Sequence, residues 1–395
     1  MKLPVKEVQE FLAERGIDAW LLYDFHGQNP TALGALGLEG HMLTRRWFYS
    51  IPAKGKGEPT VLIHEIEKGS LPKMPGQLRS YAGHHRLAEE LKSLIGGFKK
   101  IAMEYCPMGA IPYLSRVDAG MIERVRGMGI EVVSSADLVQ WFLSRWDADQ
   151  LESHKRASAA LDAARETAYR MIAERARAGR PALEHEVQAA MVAEMEKRNC
   201  ITDHPPIVAV NAHAADPHFV TTAEKPTPIK PGDLLLLDLW CKENTPRAVY
   251  ADITWMAYIG ATPKPEHQKV WDVVMRARDI GVETVRKAHA EKKRIEGWQV
   301  DRAVRDYIAG QGYGDHFVHR TGHSIDTHVH GDGANIDDYE THDTRELVAG
   351  LAFSIEPGVY LEGNFGVRSE LDVFLGPDGP HIYTPPQTEL VKLLP

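Results

Sequence analysis

Histidine is concentrated in one short stretch of this 395-residue chain. Five of the nineteen histidines fall within fifteen residues, and they are His316, His319, His323, His328 and His330. Imidazole is a common metal ligand, and histidine-rich tracts often bind metal ions. A solvated surface loop can also be rich in histidine, so the tract alone leaves a metal site and a plain loop as open alternatives.

Two aspartates lie in otherwise apolar stretches. Asp238 directly follows a run of leucines at 234–237, and Asp252 lies inside the apolar segment 249–255. A carboxylate among apolar residues costs free energy unless it is paired or bound to a cation. The polar loop 242–247 allows an antiparallel hairpin that sets the two carboxylates side by side. Because adjacent buried carboxylates repel each other unless a cation lies between them, the pair predicts a cation site.

Two glutamates add further oxygen donors. Glu356 ends a predicted strand just before a Pro-Gly turn, and Glu370 lies in the predicted strand 367–374. Period-two alternation puts Glu370 on the same face as Arg368 and Asp372. A surface salt bridge between Arg368 and Glu370 is therefore the alternative to a metal ligand.

Together these residues form an oxygen-rich ligand set, which comprises Asp238, Asp252, His323, Glu356 and Glu370. Four carboxylates balance the charge of two divalent cations, and the neutral imidazole adds a nitrogen donor. Such a set suits Mn²⁺ best, with Co²⁺, Fe²⁺ or Zn²⁺ as alternatives. Two metal ions about 3.5–4 Å apart activate a water molecule and polarise a carbonyl, so the set predicts hydrolysis.

The elements that must position these residues form two predicted domains. Residues 1–148 mix helices with short apolar strands, which indicates a small α/β domain. Residues 149–395 begin with a long alanine-rich helix and a second helix, and they continue with strand-like runs around two further helices. This pattern predicts a mainly antiparallel sheet with helices on its outer face, an α+β fold. The strands predicted there are 207–210, 234–239, 249–258, 351–355 and 367–374, and the helices are 150–177, about 183–195, 265–289 and 299–310.

Composition narrows the class of protein. Hydrophobic and charged contents of 43% and 26% are those of a globular protein. No apolar run reaches about 18 residues, and the N-terminus lacks the apolar core of a secretory signal. The three dispersed cysteines fit a reducing compartment, and a net charge of −9 without a basic block disfavours nucleic acid as a partner. We therefore expect a cytoplasmic protein without membrane or nucleic-acid partners.

The order and local context of the candidate ligands resemble those of the pita-bread-fold metallopeptidases, which include aminopeptidase P, prolidase, methionine aminopeptidase and creatinase. The motifs that carry the resemblance are Leu237-Asp238, Ala251-Asp-Ile-Thr254, His319-x-x-Gly322-His323, Val329-His330, Ser354-Ile-Glu-Pro-Gly358 and Val367-Arg-Ser-Glu370. They imply a C-terminal pita-bread fold over residues 149–395. The smaller N-terminal α/β domain resembles that of aminopeptidase P, prolidase and creatinase.

The resemblance also implies roles for the five ligands. Asp238 corresponds to a bidentate ligand of one metal ion, whereas Asp252 and Glu370 correspond to bridging ligands. His323 and Glu356 correspond to the remaining ligands, and Glu356 also shuttles the proton.

Further residues match family positions around the substrate. His218 matches the histidine near the scissile nitrogen, and His330 matches the one that hydrogen-bonds the carbonyl oxygen as it becomes an oxyanion. His319 resembles the substrate-pocket histidine of the proline-directed members. Arg368 is grouped with it in the substrate site, where we expect it to orient Glu370.

We therefore predict a dinuclear-metal-dependent Xaa-Pro peptidase that cleaves before proline at the N-terminus of short peptides, as aminopeptidase P does. A prolidase, which cleaves only the Xaa-Pro dipeptide, is the nearest alternative. A creatinase-like amidinohydrolase that works without metal and a non-catalytic peptide-binding relative are disfavoured because all five ligands are retained. The family further implies a homodimer or homotetramer.

Three departures from the family pattern bear on substrate preference. The connection between Asp238 and Asp252 is a few residues longer than usual, and Ser369 replaces a common aliphatic residue. Asp326 stands where glycine is common, so we expect it to reshape the pocket.

Overall fold

The computed structural model describes residues 3–394 and divides after Leu143 into two compact units. Each unit has its own hydrophobic core. The domain boundary that the sequence analysis places at residue 148 stays a prediction.

The first unit contains short helices around a mixed sheet. Its helices are α1 (Val5–Glu14), α2 (Pro30–Leu36), α3 (Gly83–Ile95), α4 (Ala119–Arg126) and α5 (Ala136–Val139). Its strands are β1 (Ala19–Asp24), β2 (Trp47–Pro52), β3 (Thr60–His64), β4 (Gln77–Tyr81), β5 (Lys100–Met103) and β6 (Glu131–Ser134). They form one sheet in the order β4-β3-β2-β1-β5-β6, in which β1, β5 and β6 run parallel. The α/β character predicted for this part is therefore confirmed.

The second unit begins with a long helix whose start the local sequence dictates. Asp147 caps the helix, since its carboxylate accepts the backbone N–H of Gln150 at 2.9 Å and the Gln150 side chain accepts the N–H of Asp147 in return. The helices are α6 (Ala148–Arg177), α7 (Glu184–Lys197), α8 (Pro265–Ala290) and α9 (Gly297–Gly310). All four helices predicted from this part of the sequence are present.

The strands of the second unit are β7 (Cys200–Ile201), β8 (Ile207–Val210), β9 (Leu234–Glu243), β10 (Ala251–Tyr258), β11 (Ser324–Ile325), β12 (Ala352–Ile355), β13 (Gly358–Leu361), β14 (Phe365–Arg368), β15 (Leu371–Gly376), β16 (Gly379–Ile382) and β17 (Val391–Lys392). One sheet has the order β17-β10-β9-β7, with β8 also paired to β9. A second sheet has the order β11-β12-β15-β16, and β13 and β14 form a separate hairpin.

Each of the two larger sheets is backed by a pair of helices. Helices α6 and α7 pack on the first sheet through side chains such as Leu161 and Met191. Helices α8 and α9 pack on the second sheet through side chains such as Val285 and Val300. The sheets meet directly, since the backbone N–H of Asp252 in β10 donates to a carboxylate oxygen of Asp372 in β15 at 2.8 Å.

The two faces of β9 explain its nearly unbroken apolar sequence. Leu235 and Leu237 face the core beneath α6 and α7, whereas Leu234 and Leu236 belong to the core against α8. A strand covered on both faces carries apolar residues at consecutive positions. Asp238 continues the second face, so its carboxylate lies at the edge of an apolar core.

The predicted strand 367–374 is wrong as a single element. Strand β14 ends at Arg368 and β15 begins at Leu371, because the chain leaves one hairpin and joins another sheet. At the break, the backbone N–H of Glu370 donates to the carbonyl of Thr254 in β10 at 3.2 Å. Glu370 therefore lies at a junction between strands and not on a continuous strand face.

Between residues 3 and 394 no helix combines the length and the apolar character needed to cross a bilayer.

Candidate metal centre

Two antiparallel strands position the aspartates, as the hairpin prediction required. In the pairing of β9 with β10, Asp238 lies opposite Thr254 and Asp252 lies opposite Trp240. The two carboxylates are thus diagonal neighbours on one face, and not directly opposite each other. Both are buried, at 9% and 4% exposure.

The sequence around Gly322 brings His323 against the second sheet. A Cβ at Gly322 would lie 2.0 Å from the carbonyl oxygen of Ser354, so only glycine permits this approach of the two backbones. The backbone N–H of His323 donates to the Ser354 hydroxyl at 3.0 Å. The same hydroxyl donates to Oε1 of Glu356 at 3.1 Å, so one serine fixes two predicted ligands.

The ring of His323 is oriented for coordination. Its Nδ1 lies 3.1 Å from the carbonyl oxygen of Ser324, which can only accept, so Nδ1 carries the proton. The lone pair of Nε2 then points into the cluster, 3.7 Å from Oδ2 of Asp252 and 3.3 Å from Oε1 of Glu356. Burial lowers the pKa of His323 well below its usual value, which keeps the ring neutral.

Three donors converge most closely. Ligand atoms of Asp252, His323 and Glu370 all lie within 4.8 Å of one another, and all three residues are buried. Oδ1 of Asp252 and Oε1 of Glu370 are buried and accept no hydrogen bond from any residue that the structure describes. Such oxygens are costly unless a cation or water meets them. Glu356 lies next to these three residues, since its Oε1 is 3.3 Å from Nε2 of His323.

Electrostatics within the cluster are unfavourable without a cation. Burial and the neighbouring carboxylate of Asp238 raise the pKa of Asp252 well above its usual value. Burial and the charge of Asp252 do the same for Glu370. Burial raises the pKa of Glu356 to about 7. The carboxylates therefore destabilise one another's charged forms.

Arg368 binds Asp238 directly and reaches Glu370 through Thr254. The buried guanidinium donates from Nη2 to Oδ2 of Asp238, from Nε to the Thr254 hydroxyl at 3.2 Å, and from Nη1 to the Tyr360 hydroxyl at 2.8 Å. The Thr254 hydroxyl links Arg368 to Glu370, so the orienting role predicted for Arg368 stays a prediction and would act through Thr254. A surface salt bridge between Arg368 and Glu370 is excluded, since both residues are buried.

The direct partner of Glu370 is a residue that sequence reasoning did not assign. The hydroxyl of Thr254 donates to Oε2 of Glu370 at 2.7 Å, and Thr254 is fully buried. A hydroxyl in the middle of an apolar strand was the available signal. Asp372 was also left without a role, although it is only 1% exposed and accepts the backbone N–H of Asp252.

His319 lies beside this network with both nitrogens engaged. Its Nδ1 lies 2.7 Å from the carbonyl oxygen of Arg320 and must donate, so Nε2 accepts from the Tyr360 hydroxyl at 2.7 Å. Tyr360 in turn accepts from Arg368. Burial lowers the pKa of His319 to about 3, which is consistent with this neutral tautomer.

The remaining predicted residues border the same cavity. His330 contacts the ring of His323 edge to face, with ring centroids 4.4 Å apart. His218 is exposed and is held by a hydrogen bond from its backbone N–H to Asp216 at 3.1 Å. The cavity has a volume of about 570 Å³, and both histidines line it together with the five predicted ligands, His319 and Arg368. All nine residues that the sequence analysis assigned to the site therefore line this one cavity.

Apolar side chains form much of the remaining wall of the cavity. They include Ile207, Phe219, Val220 and Trp240, while Arg320 and Glu340 add charge near His319. A concave site with an apolar wall and a few convergent polar groups is typical of small-ligand sites.

Comparison with known proteins agrees with this geometry. Residues 152–377 match the model of Metallopeptidase family M24. An Xaa-Pro dipeptidase from Lactobacillus helveticus is 31% identical over 192 residues, which are 48% of this chain and 46% of the relative. The match thus spans about half the length of that curated relative.

Solved structures resemble nearly the whole chain. Dipeptidase PepE from Mycobacterium ulcerans has a TM-score of 0.75 and 23% identity, covering 98% of this chain and 96% of that one. The X-Pro aminopeptidase from Thermotoga maritima has a TM-score of 0.62 and 23% identity, covering 96% and 99%. At this identity the likeness shows the fold.

The fold and the buried ligand cluster thus define a pita-bread-fold metallopeptidase, a class of hydrolase. The chain belongs to Metallopeptidase family M24, whose model covers more than half of it. The predictions of fold class, family and hydrolase are confirmed.

Proposed function

We propose that this protein is a dinuclear-metal-dependent Xaa-Pro peptidase that cleaves the bond before proline at the N-terminus of peptides, in the manner of aminopeptidase P. The observation that carries the proposal is the convergence of Asp252, His323 and Glu370 within 4.8 Å, with buried oxygens that lack partners in the described chain. Asp238 and Glu356 border this trio in the same cavity.

The donor set fits two divalent cations. Four carboxylates and one neutral imidazole are hard, oxygen-rich ligands that suit Mn²⁺, with Co²⁺, Fe²⁺ or Zn²⁺ as alternatives. Asp252 and Glu370 each have a buried oxygen without a hydrogen-bond partner in the described chain, and ligand atoms of both residues lie within 4.8 Å of one of His323, as ligands of a shared site would. When bound, the two ions supply an ionised water at neutral pH and polarise the scissile carbonyl.

The chain's own groups supply proton handling and orientation. Glu356 lies where its carboxylate can accept a proton and release it to the leaving nitrogen. His330 and His218 line the cavity where they can donate hydrogen bonds to the carbonyl oxygen and to the region of the scissile nitrogen, respectively. Arg368 holds Asp238 in place through a charge-assisted hydrogen bond.

His319 can contribute only through its ring. Both of its nitrogens are engaged, one by the carbonyl of Arg320 and the other by the hydroxyl of Tyr360. The ring therefore offers an apolar surface of the kind on which a proline ring packs. Packing of a substrate proline on the His319 ring would account for a preference for proline after the scissile bond.

A dipeptidase is the second candidate, because the similar Lactobacillus helveticus protein is named an Xaa-Pro dipeptidase. The two candidates differ in whether the substrate continues beyond proline. A creatinase-like amidinohydrolase is disfavoured, since its metal-free chemistry has no use for the buried carboxylate cluster. We also propose that the enzyme is cytoplasmic. We further propose that it acts as a homodimer or homotetramer, and size-exclusion chromatography with light scattering would test this oligomeric state.

The test compares Xaa-Pro dipeptides with Xaa-Pro-Xaa tripeptides, using Mn²⁺-reconstituted enzyme. We expect tripeptide cleavage that a chelator abolishes and that the Asp252→Ala variant lacks. Turnover of the dipeptide alone would assign the protein to the dipeptidases. Turnover that persists in chelator and in the variant would refute metal-dependent peptidase chemistry.

A further inference from the structure

Asp326 is a buried carboxylate that closes the loop carrying His330. It is 5% exposed. Its Oδ1 accepts the backbone N–H of His328 at 2.8 Å, and its Oδ2 accepts that of Asp332 at 2.9 Å. The two carboxylate oxygens therefore bind the loop by hydrogen bonds on both sides of His330.

The backbone of Asp326 adds two further contacts. Its N–H donates to the carbonyl of His328 at 3.0 Å, which tightens the turn. Its carbonyl accepts the N–H of Tyr250 at 3.0 Å, just before β10 and the candidate ligand Asp252. The loop is thus attached to the strand that carries a candidate ligand.

Gly331 fits closely against this carboxylate. A Cβ at Gly331 would lie 2.7 Å from Oδ2 and 2.8 Å from Cγ of Asp326. The backbone N–H of Gly331 also donates to the carbonyl of Ser324 at 2.7 Å. The residue directly after His330 therefore has its position set by Asp326 and by the strand that follows His323.

We propose that Asp326 is a positioning residue for His330, holding its imidazole over the cavity beside His323 through the backbone hydrogen bonds at His328 and Asp332. The contribution to catalysis rests on the proposed function. The carboxylate fixes two backbone N–H groups of the loop, so the loop is preorganised before substrate binds.

The first measurement does not depend on activity. Hydrogen–deuterium exchange of peptides covering 327–333 should show protection in the wild type and faster exchange in Asp326→Ala, with Asp326→Asn between them because one acceptor oxygen remains. Asp233→Ala is the matched control, since Asp233 also accepts two N–H donors, from Lys230 and Asn211, outside the cavity wall. It should leave exchange at 327–333 unchanged. Equal exchange in the wild type and Asp326→Ala would overturn the proposal.

The second measurement is a double-mutant cycle with His330→Ala. We expect Asp326→Ala to lower kcat about 10- to 100-fold, as displaced catalytic groups do, with a much smaller change in KM. In the His330→Ala background the same change should lower kcat little further. A purely structural role would instead lower kcat equally in both backgrounds, and that result would overturn the proposal.

The two measurements separate this inference from the proposed function. If the wild type turns over no Xaa-Pro substrate, the proposed function fails and the exchange measurement alone decides whether Asp326 holds the loop. Gly331→Ala, which keeps the carboxylate but crowds it, should reproduce the faster exchange of Asp326→Ala. Unchanged exchange in Gly331→Ala would count against the close fit on which the inference depends.

Discussion

Replacing Thr254 by valine should weaken metal binding without disturbing the fold. The Thr254 hydroxyl donates to Glu370 at 2.7 Å and accepts from Arg368 at 3.2 Å. Valine keeps the shape of the side chain but removes the donor. Oε2 of Glu370 is then left without its partner, and the carboxylate can turn away from the cluster that its Oε1 faces.

The magnitude follows from the kind of bond that is lost. A hydrogen bond to a charged group contributes about 1.5–3 kcal/mol, and about 1.4 kcal/mol corresponds to a tenfold change in an equilibrium constant. We therefore expect Mn²⁺ to bind Thr254→Val about 10- to 100-fold more weakly, the usual range for partners of metal ligands. Equilibrium dialysis against Mn²⁺, with kcat/KM measured in parallel, gives both quantities.

Thr321→Val provides a matched control. Thr321 is also fully buried, and its hydroxyl has no hydrogen-bond partner within the described part of the chain. It lies between His319 and His323, so the control is equally close to the site in sequence. We expect Mn²⁺ affinity to be unchanged in Thr321→Val. Equal affinity of Thr254→Val and the wild type would refute the role assigned to the Thr254 hydroxyl.

Three further substitutions test the hydrogen bonds around Arg368, the close approach of two backbones at Gly322 and the effect of the Asp18 charge on stability. Tyr360→Phe removes the hydroxyl that joins the buried guanidinium to the neutral imidazole, and kcat/KM should fall about 2- to 10-fold; no change would contradict a role for that bridge. Gly322→Ala places a Cβ 2.0 Å from the carbonyl oxygen of Ser354, so the free energy of unfolding should fall by about 3 kcal/mol in urea titrations, and an unchanged midpoint would contradict the close approach. Burial acts to raise the pKa of Asp18. The ammonium group of Lys56 and the backbone N–H groups of Lys99 and Lys100 outweigh this effect and lower the pKa to about 2. Because the lowered pKa stabilises the fold above the unfolded-state pKa, Asp18→Asn should destabilise the protein by about 2 kcal/mol at pH 7, with the difference vanishing as the pH falls from about 4 to about 2; a difference independent of pH would contradict it.

The sequence predicted the second unit well where the signal was local. Helix α6 follows from its alanine-rich composition and from the cap at Asp147, and β9 and β10 follow from apolar runs bounded by polar residues. The four candidate carboxylates were found because each lies in an apolar or turn context, and His323 was found through the histidine-rich tract and the family motif. Their convergence in one cavity agrees with the resemblance to known metallopeptidases.

The partners of those ligands could not be predicted, because they depend on contacts between distant strands. Glu370 and Thr254 are 116 residues apart, and nothing in either local sequence specifies their contact. Period-two alternation, which put Arg368 and Glu370 on one strand face, fails at the break between β14 and β15, and their link through Thr254 depends on a third strand. No role was assigned to Asp372 from the sequence, although it is 1% exposed and binds the backbone of Asp252 in the other sheet.

Metal stoichiometry tests the proposed dinuclear site most directly. Metal-free protein dialysed against excess Mn²⁺ should bind about two ions per chain, as a two-metal hydrolase requires. The Glu370→Gln variant, which removes the charge of a proposed ligand but keeps the shape of the side chain, should lose at least one of them. Two ions in the wild type and fewer in the variant would agree with the ligand assignment. No bound Mn²⁺ in the wild type, or equal binding by both proteins, would contradict it.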